Sequence, residues 1–286
     1  MKFLLPLIFL FPFATSAQVF KIYGQDDRRE ADRASSRDKK LADSTAALIV
    51  NSFLVDKGSK MSIDAPALGD VDGLCSTERF RNQPAAALCS GTLIAPDLML
   101  TAAHCYTNPS ICSNASWVFG FRATRNNKYS IKKSEIYKCK EVVYRELDIE
   151  TGLDFAVVKL DRPVKSHKPV ELRESGSAEA QTSLLLIGHP RGLPTKIADN
   201  AYVTSVRGNI LMSNVDAFTG NSGSGVFNAE HGFLEGVLSF GQEDYEENEK
   251  KSCFANAVYN MQDGGEAVMK IDPIREFLKA YQSIRP

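Results

Sequence analysis

Short apolar runs recur along the chain from Thr45 onward, separated by Gly, Pro, Asn or Asp. Runs of this length between turn-forming residues are typical of β-strands. A chain with many such strands is expected to fold as an all-β sandwich or barrel. The clearest runs span residues 46–50, 91–95, 117–121, 155–160, 184–187 and 233–238.

One segment near the C-terminus follows a different period. Its apolar positions recur at the three- and four-residue spacing of one helix face, and Pro273 lies near its start, where a helix tolerates proline. We therefore predict an amphipathic helix over about residues 271–282. Its apolar face consists of Ile271, Ile274, Phe277, Leu278 and Tyr281.

The N-terminus combines Lys2, an apolar run at 3–13 and small residues at 14–17. This order is typical of a secretory signal peptide, and the run is shorter than the roughly 20 residues of a membrane-spanning helix. We expect cleavage after Ala17, a secreted protein (extracellular or periplasmic), and no membrane contact after cleavage. Residues 18–42 are polar and highly charged, so we interpret them as an exposed N-terminal arm or a pro-segment.

Composition narrows the function classes. The chain has 34 basic and 35 acidic residues and a formal charge of -1, so its net charge provides no electrostatic attraction to nucleic acid. The apolar fraction of 43% supports a sizeable core, and 286 residues suit one large β domain or two lobes. Scattered carboxylates at Asp26, Asp27, Asp70 and Asp72 form no clear metal-binding pattern, so we expect no metal and no cofactor.

Three segments carry residues suited to nucleophilic catalysis. A serine hydroxyl needs a base, usually histidine, and His104 follows an apolar strand among small residues. The glycine-rich loop 219–225 holds Ser222, and its backbone can converge N–H groups on one point, although a plain Gly/Ser loop remains an alternative. Asp154 precedes a strongly apolar strand; it is either a turn residue or a buried partner for an imidazole N–H.

These segments resemble the chymotrypsin-like serine proteases. The match consists of Thr-Ala-Ala-His-Cys at 101–105, Asp154, and Gly-Asn-Ser-Gly-Ser at 220–224, in the family's order of His, Asp and Ser. The resemblance implies two six-stranded antiparallel β-barrels with a C-terminal helix. It places a protease domain at 43–286, with the first barrel at about 43–160 and the second at about 180–268.

The resemblance also implies a role for each residue. Ser222 is expected to be the nucleophile, His104 the general base and then acid, and Asp154 the group that orients the imidazole. The backbone N–H groups of Gly220 and Ser222 form the expected oxyanion hole. The function implied is a secreted, monomeric serine endopeptidase acting on proteins or peptides. The alternative is a catalytically silent homologue that acts as an extracellular binding protein.

All six cysteines follow the signal peptide, and an even number in an exported chain predicts disulfides. Their spacing is not that of a zinc site. By resemblance, one bridge braces the histidine loop. The expected pairs are Cys89–Cys105 by that resemblance, Cys112–Cys139 within the first lobe, and Cys75–Cys253.

The branch that the sequence most resembles is the bacterial glutamyl-endopeptidase-like group, through residues 22–28 and Asn221. An Asn there cannot form the ion pair that activates trypsin-like zymogens.

Asp216 stands where trypsin-like enzymes hold the acid at the base of the specificity pocket, although a structural role is equally open. Leu238 replaces a histidine of the glutamyl group, which argues against selection for Glu. Residues Ser239, Phe240 and Gly241 resemble the edge strand that pairs with substrate backbone.

Overall fold

The computed structural model describes residues 22–123, 129–148 and 150–283. The predicted signal peptide at 1–17 lies outside this part of the chain, as do residues 18–21 of the predicted arm. The strands are β1 (Ile22–Tyr23), β2 (Arg29–Glu30), β3 (Thr45–Val50), β4 (Leu54–Asp56), β5 (Lys60–Ile63), β6 (Ala87–Ala95), β7 (Leu98–Thr101), β8 (Ala115–Phe119), β9 (Ser130–Lys132), β10 (Ile136–Asp148), β11 (Leu153–Leu160), β12 (Ser183–Gly188), β13 (Lys196–Arg207), β14 (Ile210–Ser213), β15 (Gly225–Asn228), β16 (Leu234–Phe240), β17 (Tyr245–Asn248), β18 (Cys253–Asn256), β19 (Val258–Tyr259) and β20 (Glu266–Lys270). The α-helices are α1 (Ser36–Asp43), α2 (Leu68–Val71), α3 (Ile111–Asn114) and α4 (Ile271–Ser283).

The first half of the chain forms a closed barrel of six strands in the order β10-β11-β7-β6-β3-β8. Its pairings are antiparallel. Apolar side chains fill the interior because alternate residues of each strand point inward. They include Leu48, Leu93, Met99, Trp117, Phe119 and Val158, all at most 1% exposed.

The second half forms a second ring of six strands, β12-β15-β16-β20-β14-β13, which closes because β12 also pairs with β13. Strand β2 adds a seventh strand at the outer side of β13. A separate apolar cluster fills this barrel. The predicted fold, two six-stranded antiparallel barrels with a C-terminal helix, is therefore confirmed.

Helix α4 extends from Ile271 to Ser283 and packs with its apolar face against the cluster between the barrels. Ile271, Ile274 and Leu278 are buried there, as the spacing of apolar residues predicts. The Phe277 ring lies 4.5 Å from the ring of Tyr144. Within the described ranges, no helix has the length and apolar character needed to cross a bilayer.

The N-terminal segment differs from its prediction as an exposed arm. Strand β1 pairs in parallel with β19, and Ile22 and Tyr23 are only 6% and 3% exposed. The guanidinium of Arg28 is buried because Asp26 pairs with it at 2.8 Å and the Phe218 ring lies 4.0 Å away. Ile22, Tyr23 and Arg28 are therefore buried, which differs from the expectation of an exposed arm, whereas charged residues such as Asp32, Arg33 and Arg37 are exposed.

The structure contains three disulfides, Cys75–Cys253, Cys89–Cys105 and Cys112–Cys139. These are the pairs expected from the sequence. The first connects the segment before β6 to strand β18, residues that are 178 positions apart. The second braces the turn that follows β7 against β6.

Candidate active site

His104 and Asp154 meet at one end of the first barrel. His104 lies in the 3-10 turn Ala103–Tyr106 directly after β7, and Asp154 is the second residue of β11, which pairs with β7. Histidine Nδ1 lies 2.7 Å from Asp154 Oδ2, and the backbone N–H of His104 donates to Oδ1 at 3.0 Å. The aspartate therefore holds the imidazole with both carboxylate oxygens.

The carboxylate of Asp154 is buried but remains acidic. Burial alone raises its pKa, yet the hydrogen bonds and charge of His104, with a third hydrogen bond from the Ser239 hydroxyl, outweigh burial and lower the pKa below its usual range. Asp154 is thus charged at neutral pH and stabilises a positive charge that develops on His104. Ser239, predicted to bind substrate, in fact also contacts Asp154.

Ser222 lies in the loop between β14 and β15 of the second barrel, across the cleft from His104. The Thr219 carbonyl accepts from the Arg191 N–H at 2.6 Å, and the Asn221 carbonyl accepts from the Ser224 N–H at 2.8 Å. In a trans peptide the N–H points opposite to the C=O.

The same two peptides carry the N–H groups of Gly220 and Ser222. The carbonyls of these two peptides accept from the N–H groups of Arg191 and Ser224, so the N–H groups of the peptides point away from those donors. Thr219 and Ser222 both line the cleft. Gly220 has φ +91°, and a Cβ there would lie 2.8 Å from the carbonyl oxygen of His189, so only glycine fits. This arrangement is suited to an oxyanion hole.

The cleft contains most of the predicted site residues and some that the sequence did not indicate. His104, Ser222, Leu238, Ser239, Phe240 and Gly241 all line it, and Phe240 is 60% exposed. The additional lining residues are Phe218, Thr219, Gln242 and Glu266. Leu238 also ties β16 to the serine loop, because its carbonyl accepts from the Gly223 N–H and its N–H donates to Ser224.

Asp216 has a different place from the predicted pocket base. It is 3% exposed, and its two oxygens accept from the backbone N–H groups of Tyr23 at 2.8 Å and Asp27 at 3.1 Å. It is absent from the residues that line the cleft in the described parts of the chain. The pocket prediction for Asp216 is therefore not supported: the carboxylate anchors the N-terminal segment, and nothing local in the sequence indicates that partner.

The Asp27 and Asp216 carboxyls lie close together in this anchor. Burial raises the pKa of both, and the charge of Asp216 adds to the rise at Asp27. Of the acidic residues considered as metal ligands, Asp26 pairs with Arg28 and Asp72 pairs with Arg191. Both carboxylates therefore have protein partners.

His189 lies behind the serine loop and is fully buried. Its Nδ1 is 2.9 Å from the Leu193 carbonyl, so Nδ1 carries the proton. Burial, with the nearby charges of Lys196 and Arg122, lowers its pKa to about 4. The neutral ring is the form that the folded protein accommodates.

This burial predicts a loss of stability in acid. Between about pH 6.5 and about pH 4 the unfolded chain binds a proton at His189 that the folded protein does not, so the free energy of unfolding falls as pH falls. Below about pH 4 the loss levels off at roughly 3 kcal/mol. Denaturant unfolding of wild type and His189→Asn from pH 8 to 3.5 checks it. The difference between the two proteins should change only in this window, and a constant difference would contradict the prediction.

Comparisons with known proteins agree with this geometry. The family model described as trypsin-like peptidase domain matches residues 89–237, more than half of the chain. The fold is similar to that of a Glu endopeptidase solved in complex with MPD, with 18% identity, a TM-score of 0.57, and coverage of 92% of this chain and 100% of that one. It is also similar to human heparin binding protein, with 16% identity, a TM-score of 0.55, and coverage of 93% and 98%.

No curated protein matches the chain at a significant level. The two structural likenesses establish the chymotrypsin-like fold, and the first accords at that level with the resemblance to the glutamyl-endopeptidase-like group. The family match begins at Cys89 and ends in β16, so it includes the histidine turn, the aspartate and the serine loop. The chain therefore belongs to the trypsin-like peptidase domain family.

Proposed function

We propose that the protein is a secreted serine endopeptidase that hydrolyses peptide bonds through an acyl-enzyme. The observation that carries this proposal is the Asp154 carboxylate bound to Nδ1 and the backbone N–H of His104, in the cleft that Ser222 also lines. A structural histidine does not need this arrangement in a cleft that also contains a serine from a glycine-rich loop.

The proposed mechanism depends on which ring nitrogen of His104 is bound to Asp154. Because Nδ1 donates to Asp154, Nε2 is the basic nitrogen of His104 and takes the Ser222 proton as the serine oxygen attacks the carbonyl carbon. The N–H groups of Gly220 and Ser222 bind the resulting oxyanion. Nε2 then gives the proton to the leaving amine. A water molecule then attacks the acyl-enzyme, with His104 again as the base. This step releases the carboxylic acid product and regenerates Ser222.

Export is the second part of the proposal. Three disulfides are characteristic of proteins that fold in an oxidising compartment, and the signal-like residues 1–17 supply the route. We expect a monomer that acts on proteins or peptides outside the cytoplasm. Periplasmic or extracellular recovery of disulfide-bonded protein beginning near residue 18 would support it.

The deciding experiment incubates the disulfide-bonded protein with a diverse peptide mixture and identifies cut sites by mass spectrometry. Ser222→Ala is the matched control, since it removes only the hydroxyl. Cuts that are absent with the variant, together with labelling of wild type by an active-site phosphonate, support the proposal. No cuts and no labelling would contradict it and favour the catalytically silent binding protein.

The cleft also suggests which residue precedes the scissile bond. Glu266 is 1% exposed overall, lines the cleft, and lies against Gly241, where a Cβ would be 1.8 Å from its Oε2. Gln242 N–H donates to Oε1 at 3.3 Å. Because Glu266 lines the cleft and Asp216 does not, we expect this carboxylate to face the substrate side chain and to favour Lys or Arg at that position.

Glu266→Gln tests this preference because it removes the charge and keeps the shape. A hydrogen bond to a charged group contributes about 1.5–3 kcal/mol, so kcat/KM for an Arg substrate should fall about 10- to 100-fold relative to a Leu substrate. Asp216→Asn is the contrasting variant and should leave the ratio unchanged while lowering stability. Wild-type cuts after Glu, or an unchanged ratio in Glu266→Gln, would contradict the assignment.

A further inference from the structure

Ser90 in β6 makes four hydrogen bonds although it does not line the cleft. It is 0% exposed. Its hydroxyl accepts from the His189 N–H at 2.9 Å and donates to the Gly220 carbonyl at 2.8 Å. Its own N–H donates to the Ser222 carbonyl at 2.9 Å, and its carbonyl accepts from the Thr101 hydroxyl at 2.7 Å.

Two of these bonds hold peptide groups that lie next in the chain to those of the proposed oxyanion hole. The N–H groups proposed for the oxyanion hole belong to the peptides before Gly220 and before Ser222. The Ser90 hydroxyl and N–H bind the carbonyls of the peptides that follow each of these two residues. These anchors hold the backbone on one side of each of the two peptides, which limits how far the loop can shift and so helps to keep both N–H groups in place.

The Gly220 carbonyl has particular need of such an anchor. Glycine has no Cβ to restrict φ and ψ, so the peptides around Gly220 rotate more easily than those of any other residue. If the peptide before Gly220 rotates by half a turn, its N–H leaves the cleft and the carbonyl oxygen takes its place. The Arg191 N–H holds that peptide on one side, and the Ser90 hydroxyl holds the next one on the other.

Ser90 also joins the two halves of the site. It belongs to the first barrel, while Gly220 and Ser222 belong to the second. The residue before it, Cys89, forms the disulfide with Cys105, which directly follows His104. A single buried strand thus fixes the position of the oxyanion N–H groups relative to the base.

We propose that Ser90 is a positioning residue whose hydroxyl keeps the oxyanion hole open. This inference rests on the proposed function, because it assigns a role within acyl transfer. It acts through Gly220 and does not touch the substrate. Its effect is therefore on the tetrahedral transition state, where negative charge develops, and not on the binding of the uncharged peptide.

The test compares Ser90→Ala with Thr101→Val. Both remove one buried hydroxyl from the same pair of strands, but only the first removes a bond to the serine loop. Losing one oxyanion donor costs about 10²–10³-fold in kcat, so a loosened one should cost about 10- to 100-fold, with KM changed less than about threefold. Thr101→Val should keep kcat within about threefold at a similar loss of thermal stability.

Binding measurements separate positioning from a general structural effect. Affinity for a peptide aldehyde, which forms a tetrahedral oxyanion adduct, should fall in Ser90→Ala in parallel with kcat. Affinity for the product peptide should not. If Ser90→Ala fails to fold, Ser90→Gly leaves room for a water beside the His189 N–H and should still lose at least about fivefold in kcat.

The inference is overturned if Ser90→Ala retains wild-type kcat, if only KM changes, or if Thr101→Val loses kcat equally. Failure of the proposed function has a different signature. In that case wild type itself shows neither cleavage nor phosphonate labelling.

Discussion

Asp154→Asn is expected to lower kcat by about 10⁴-fold with little change in the fold, the effect known for the aspartate of such a triad. An asparagine presents an oxygen and an NH₂ group where Asp154 now accepts from both the backbone N–H and the Nδ1 of His104. If the amide oxygen faces the backbone N–H, the NH₂ group faces the ring and selects the tautomer with its proton on Nε2. Such a ring cannot take the Ser222 proton.

Steady-state kinetics on the best peptide from the cleavage screen measure this effect. Ser239→Ala is the matched control because it removes only the third hydrogen bond to Asp154, and it should cost about tenfold or less. Phosphonate labelling should slow in Asp154→Asn by a factor similar to that in kcat. A loss of less than tenfold in Asp154→Asn would mean that Asp154 does not set the tautomer of His104.

Removal of the Cys75–Cys253 disulfide is expected to destabilise the protein by about 5 kcal/mol, the chain-entropy value for a loop of this length. The bridge spans 178 residues, while Cys112–Cys139 spans 27. A longer loop gains more freedom in the unfolded chain when its bridge is lost, so the second pair should contribute only about 3–4 kcal/mol.

Double alanine variants of each pair avoid a free thiol, and urea unfolding measures the free energy of each. The Cys75→Ala/Cys253→Ala protein should have the lower unfolding midpoint. The reverse order would show that native packing around α3, and not loop length, determines the contribution of these bridges.

The proposed triad residues could be named from the sequence because each lies in a short segment whose chemistry is local. His104 follows an apolar strand, Ser222 lies between glycines, and Asp154 precedes a core strand. The double barrel was predictable by resemblance, and helix α4 was predictable from the three- and four-residue spacing of its apolar residues.

The errors and omissions concern contacts between distant segments. The acid of Asp216 receives its partners from Tyr23 and Asp27, nearly two hundred residues earlier. The position of Glu266 in the cleft depends on how β20 pairs with β16. Ser90 stands in an ordinary apolar strand, and only the docking of the two barrels places its hydroxyl on Gly220. The pattern of apolar and polar residues along the chain does not indicate which distant segments will be in contact.

The burial of Arg28 has a consequence for the lifetime of the protein. A protein that cleaves after basic residues, as proposed above for this chain, encounters its own arginines at high local concentration, and the bond after Arg28 joins two arginines in a charged segment. Because Arg28 is 3% exposed, stacked on Phe218 and paired with Asp26, it cannot enter the cleft of another molecule without local unfolding. Self-digestion at this bond should therefore follow the opening of the N-terminal segment, and conditions that loosen the Asp216 anchor should shorten the lifetime of the protein.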